Sequence, residues 1–204
     1  MEGKKSYIIV GVLALLMSVA AISIAYAALS STMTISGEAT VIGGQKWKIK
    51  YANLATVVKT GYAEEVTAPT INTNDTKVGD YSVTLKAPGD SVKYTFDVVN
   101  EGTFDAKISS FTMPTPECTG AASDATKKAE DESKVCRNIE YTLTYDDGTA
   151  VAIGDELANK DATSGHTKHL ILTLKLKETM TEADLPSDDV AISNLTISTI
   201  YSQK

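Results

Sequence analysis

Apolar and polar residues alternate along many short stretches of this 204-residue chain, and a period of two is what a half-buried β-strand imposes. Val92, Tyr94, Phe96 and Val98 alternate with Lys93, Thr95 and Asp97, in the clearest strand of the chain. Trp47, Ile49 and Tyr51 alternate with Lys46, Lys48 and Lys50, so one face is apolar and the other cationic. Tyr81, Val83 and Leu85 repeat the scheme, as do Ile139, Tyr141, Leu143 and Tyr145, and then Leu170, Leu172, Leu174 and Leu176. A closing strand is expected over Val190–Tyr201 and a weaker one over Thr32–Val41. Turn residues separate these runs: Ala87-Pro88-Gly89-Asp90, Asn100-Glu101-Gly102-Thr103 and Asp146-Asp147-Gly148 supply the left-handed positions that tight turns need. Helix signals are few, with one turn expected at Thr181–Leu185 before Pro186. Many short strands without alternating long helices predict an all-β sandwich of immunoglobulin-like or jelly-roll type.

One N-terminal hydrophobic helix is expected ahead of the sandwich. Lys4 and Lys5 precede a run without charge from Ser6 through Gly37, and Tyr7–Leu29 is predominantly apolar. Two readings stand side by side. Ala25-Tyr26-Ala27 is a small-x-small site at which cleavage leaves Ala28 as the new N-terminus, as in a signal peptide. The length of the run instead suits an uncleaved signal anchor spanning about residues 7–29, since a bilayer needs ~20 apolar residues. Under either reading the basic flank stays inside, placing residues 31–204 outside as one extracytoplasmic domain after a targeting segment at 1–30. The expected location is the cell membrane with an extracellular domain, or secretion to the cell surface. No Cys lies near residue 27 for lipoprotein acylation, and Leu185-Pro186-Ser187-Asp188 lacks the Thr-Gly of a sortase motif.

Charge narrows the partners. Acidic residues number 26 against 19 basic ones, and such a balance repels the phosphates of nucleic acid. The expected partners are the membrane, through the N-terminal segment, and a second copy or a protein or glycan ligand. Cys118 and Cys136 are the only cysteines. An exported pair is expected to form a disulfide, closing a mobile or partly helical excursion over Thr119–Val135. Closing a loop of that size stabilises by ~3 kcal/mol.

The run Ala87-Pro88-Gly89-Asp90-Ser91-Val92-Lys93-Tyr94-Thr95-Phe96-Asp97-Val98-Val99-Asn100-Glu101-Gly102 resembles a signature of immunoglobulin-like surface domains. It consists of a tight turn, an alternating strand and an Asn/Gly turn into the next strand. The layout also resembles uncharacterised exported proteins of Gram-positive bacteria, whose N-termini are similar to Ala25-Tyr26-Ala27-Ala28-Leu29-Ser30. More remotely the chain resembles the TasA/camelysin biofilm-fibre family, which implies β-sandwich subunits exported by a dedicated signal peptidase. That family's aromatic residue just after the cleavage site is absent here.

Chemistry-bearing residues are sparse. His166 and His169 are the only histidines. Three apart in a strand they face opposite sides and cannot chelate together, so both are expected to be solvated. The oxygen-rich Asn72–Asp80 stretch lacks the calcium-loop spacing and reads as a polar turn. Glu130-Asp131-Glu132 and Asp188-Asp189 read as solvated loop charges. The Lys46, Lys48 and Lys50 face reads as a solvated strand face. Asn74-Asp75-Thr76 and Asn194-Leu195-Thr196 match the N-glycosylation pattern. No Gly-x-Ser-x-Gly, phosphate loop, His-Glu-x-x-His or Cys-His pair is present. Neither a catalytic site nor a cofactor is expected. The expected role is non-enzymatic, structural or binding, at the cell surface. The alternative is a filament subunit assembling by strand addition after cleavage at Ala27, and more distantly a camelysin-like protease.

Overall fold

A computed structural model describes residues 46–79 and 81–204. The expected helix at 7–29, the cleavage residues Ala25, Ala27 and Ala28, and the weak strand Thr32–Val41 lie outside those residues.

The strand with the clearest alternation holds the centre. β7 (Ser91–Asn100) buries Val92, Tyr94, Phe96 and Val98 and turns Lys93 to solvent. β12 (Thr167–Leu176) runs antiparallel along it, setting Leu174 opposite Val92, Leu172 opposite Tyr94 and Leu170 opposite Phe96. β10 (Ile139–Tyr145) extends the sheet beyond β12, with Leu143 opposite Leu172. Directly opposed residues share a face, so the apolar sets of the three strands form one surface. The other flank of β7 carries two strands in line, β1 (Ile49–Ala52) and β2 (Val58–Thr60). Between them Asn53 takes a left-handed φ of 51°, and the Ala55 N–H reaches the Thr95 carbonyl.

A second, three-stranded sheet places β8 (Ala106–Thr112) between β11 (Glu156–Leu157) and β14 (Ser198–Gln203), all antiparallel. Its Ala106, Ile108 and Leu157 join Val92, Tyr94, Phe96, Val98, Leu170, Leu172 and Leu174 in one buried cluster. Two short pairs complete the rim: β3 (Glu64–Thr67) with β6 (Ser82–Thr84), and β4 (Thr70–Ile71) with β5 (Val78–Gly79). A last pair, β9 (Glu117–Gly120) with β13 (Val190–Ser193), packs beside helix α1 (Ala125–Cys136). The described residues are thus all-β apart from α1 and a single 3-10 turn at Glu182–Asp184, the position expected for one helical turn.

Two buried polar side chains, each 1% exposed, close the ends of β7. The Asp90 carboxylate accepts the N–H groups of Lys86 (2.7 Å), Ala87 (2.9 Å) and Tyr62 (2.8 Å). Asn100 Oδ1 accepts the Gly102 N–H at 2.9 Å while its Nδ2 donates to the Phe104 carbonyl at 2.9 Å. These bonds satisfy backbone groups that would otherwise be buried unpaired, at a cost of ~1–3 kcal/mol each. Gly102 is required for closeness, because a Cβ there would sit 2.6 Å from the Lys46 carbonyl oxygen.

Several expectations are corrected. Val190–Tyr201 is not one strand: Asn194 adopts a φ of 57° and breaks it into β13 and β14, which belong to different sheets. Trp47 does not join the inner face and is 47% exposed. The chain at Lys46 is held by Thr103, outside the ladder to β7, so the alternation there has no sheet to face. Of the two readings of the excursion between the cysteines, the partly helical one holds: a helix runs from Ala125 to Cys136, with Asp124 as its N-cap accepting the Lys127 N–H.

Phe96 is 5% exposed and packs edge-on against Tyr51 with ring centroids 5.5 Å apart. Phe96→Ala is expected to cost ~3–5 kcal/mol, read from the shift of a urea unfolding curve. A loss under ~1 kcal/mol would contradict its place in the shared core.

Candidate functional site

The two histidines meet different surroundings, and neither is simply solvated. His169 lies on the outer face of β12 directly opposite Asp97 of β7. Its Nδ1 is 2.6 Å from Asp97 Oδ1, and Asn53 Nδ2 donates to Asp97 Oδ2 at 2.7 Å. The Asp97 side chain is only 7% exposed whereas that of His169 is 56% exposed. Both carboxylate oxygens are therefore engaged, and the pair ties β12 and the β1–β2 connection to β7. His166 precedes β12, is half-buried, and keeps Nδ1 buried without a hydrogen-bond partner. Its carbonyl accepts the Asn100 N–H at 2.8 Å.

Charge runs expected in solvent also divide. Asp131 is 1% exposed on α1 and accepts the N–H groups of Ser187 at 2.9 Å and Asp188 at 3.1 Å. The Ser187 N–H holds its carboxyl below the usual aspartate range, followed by the Asp188 N–H and the Ser187 hydroxyl, against the opposing effect of burial. Glu130-Asp131-Glu132 is thus no solvated run at its centre: a helix repeat turns Asp131 inward toward the Leu185–Asp188 loop. Asp188 is paired with Lys127 at 2.5 Å. On the cationic face, Lys48 and Lys50 each lie 2.6 Å from the Glu101 carboxylate. Hydrogen bonds from Lys48, then from Lys50, push the Glu101 carboxyl down to about 2.

The polar stretch after β4 is a closed turn. Asn72 Oδ1 accepts the Thr76 and Lys77 N–H groups at 2.7 and 2.9 Å, and the Asp75 carbonyl accepts the Tyr51 N–H; Asp80 lies outside the described residues. Among the described residues no group of three or more His, Cys, Asp or Glu side chains is placed to hold a metal ion. Nor do they include a helix long and apolar enough to cross a membrane.

The feature that sequence reading did not find is a cleft of about 370 Å3 between the sheets. Tyr51, Phe96, Tyr141 and Leu172 of the large sheet form one wall, and the Leu195–Thr199 segment leading into β14 forms another. Tyr141 donates its hydroxyl proton to the Leu195 carbonyl at 2.6 Å, so it accepts from the Tyr81 hydroxyl 3.0 Å away. Burial, and then the Tyr81 hydroxyl, raise the Tyr141 phenol above the ordinary tyrosine range. Aromatic walls and two hydroxyls suit an apolar side chain with a polar neighbour. Beside the cleft, β14 pairs with β8 on one flank and, among the described residues, with no strand on the other. It also exposes Ile200 at 55%. At Asn194 an alternating pattern continues across the break and hides the change of sheet.

His169→Ala leaves Asp97 buried with Asn53 as its remaining partner. Loss of one hydrogen bond to a charged group is expected to cost ~1.5–3 kcal/mol. His169→Ala combined with Asp97→Ala should cost less than the sum of the two single changes in urea unfolding. Additive losses would show that the pair is not a clamp.

No family model, curated protein or solved structure matches this chain.

Proposed function

We propose that this chain is a non-enzymatic protein of the cell surface, brought across a membrane by its N-terminal apolar segment, with an immunoglobulin-like sandwich that works by binding or as structure. The observation that carries this reading is the Cys118–Cys136 disulfide, because such bonds persist in oxidising, extracytoplasmic compartments. The connections support the immunoglobulin-like description. β7 leads into β8, and β12 leads by way of β13 into β14, so the chain passes repeatedly from one sheet to the other. Asp90, Asn100, Asp97 and Asp131 serve the backbone or a neighbouring side chain, a use that suits a structural or binding domain.

Protease added to intact cells is expected to digest residues beyond 30. Protection of the domain until the membrane is lysed would refute export.

A second reading, a filament subunit, is favoured by the flank of β14 that the described residues leave unpaired and by the cleft beside it. Extended segments add to such edges through main-chain bonds and seat alternate side chains in pockets. In this version Ala28–Val41, freed by cleavage after Ala27, supplies the strand to a neighbouring molecule. Purified protein beginning at Ala28 should form fibres under negative stain, and removal of residues 28–41 should abolish them while circular dichroism keeps its β signal. Fibres that survive the deletion would rule this segment out as the added strand.

A further inference from the structure

The disulfide holds a part of the protein that the sandwich core does not reach. No side chain of β9, α1 or β13 belongs to the buried cluster that joins the two large sheets. Among the described residues β9 and β13 pair only with each other. Among its 12 residues α1 buries Asp131 and Val135 and no others. A helix this short is marginal in water without tertiary support. Beyond the burial of Val135, its support is a handful of polar bonds: Gly120 N–H to Glu132 at 3.0 Å, Asp131 to Ser187 and Asp188, Lys127 to Asp188, and Arg137 to Asp184 at 2.7 Å. To these the covalent link adds the tie from Cys118 of β9 to Cys136, the last residue of the helix, with Cα atoms 5.8 Å apart. Both cysteines are half-buried and therefore partly open to solvent.

We propose that Cys118–Cys136 is a redox latch on an independently opening unit made of β9, α1, the Glu182–Asp188 loop and β13. A dithiol reductant attacks one sulfur as its thiolate and forms a mixed disulfide, expelling the other cysteine as a thiolate that takes up a proton. The reductant's second thiol then displaces the remaining protein sulfur. The reductant leaves as a cyclic disulfide, and two electrons and two protons stay with the protein as two thiols. Opening the latch removes the closure that keeps α1 against β9, so the helix frays and the loop gripped by Asp131 is released with it. β7, β12, β10 and β8 keep their core, because they share none of it with the unit. The latch does not depend on the chain being exported. In an exported chain, however, the unit closes only on the oxidising side of the membrane.

Hydrogen exchange of the full chain in mild detergent, with and without excess dithiothreitol, tests this. After reduction, peptides covering 117–136 and 182–193 should exchange at least about tenfold faster, with 91–100 and 167–176 unchanged. Reoxidation should restore the slow pattern, and Cys118→Ser with Cys136→Ser should reproduce the reduced one without reductant. The proposal fails if mass spectrometry shows free thiols while 117–136 stays protected. It fails equally if the bond resists the dithiol, or if 91–100 loses protection together with the unit. A double variant that does not fold at all has the same meaning, since it makes the sandwich dependent on the bond.

Discussion

The pairings of the large sheet depend on where β7 starts and stops, and two buried side chains decide that. Asp90 collects three backbone N–H groups from two separate segments, so the turn before β7 and the Gly61–Tyr62 corner are fixed by one carboxylate. Asn100 does the same at the far end with one acceptor and one donor, binding the connection into β8. A one-residue slip of β7 would turn Phe96 and Tyr94 to solvent and bury Lys93 and Thr95 in their place. It would also pull both polar groups away from the backbone they satisfy. Apolar alternation and polar end-points therefore demand the same register, and that agreement makes the fold specific.

The alternation that was legible in the sequence belongs to strands that face the core on one side only. β7, β10 and β12 show it because their outer faces meet water. The Asp90 and Asn100 turns were legible too, because only short polar side chains and glycine suit buried turn backbone. What stayed hidden is non-local. Trp47 alternates correctly but has no sheet beside it, and Asn194 interrupts a pattern that reads as continuous. Asp131 looks like one member of an acidic run until the helix repeat turns it inward. His169 finds its partner on a strand distant in sequence, which no spacing along the chain reveals. The pairing of Cys118 with Cys136 was accessible by contrast, since two cysteines allow one intramolecular bond. The inter-sheet cleft arises from the crossing of Leu195–Thr199 over the large sheet, a property of packing alone.

The buried polar side chains described above hold the chain to itself. Asp90, Asn100 and Asp131 accept main-chain N–H groups, and Asp97 holds Asn53 and His169. Each is a group that burial would otherwise penalise, and Asp90, Asp97 and Asp131 also join segments far apart in sequence. Lys48 and Lys50 clasp Glu101 near the start of the described chain, adding a screened, surface version of the same device. The apolar cleft and the free flank of β14 stand apart from this pattern, since they present main-chain groups and aromatic walls that the described residues leave uncovered.

The chain order of the large sheet has a consequence for timing. β7 is made by the middle of the chain, but its long partner β12 lies well downstream, and the second sheet is completed only by β14 at residues 198–203. Contacts so distant in sequence form slowly, since the intervening chain must close as a loop before they repay it. During synthesis β7 therefore emerges with one flank and its apolar face unmatched, and the sandwich cannot lock until nearly all of the chain is available. A polypeptide that stays unlocked for that interval can be threaded through a narrow channel without first being pulled apart.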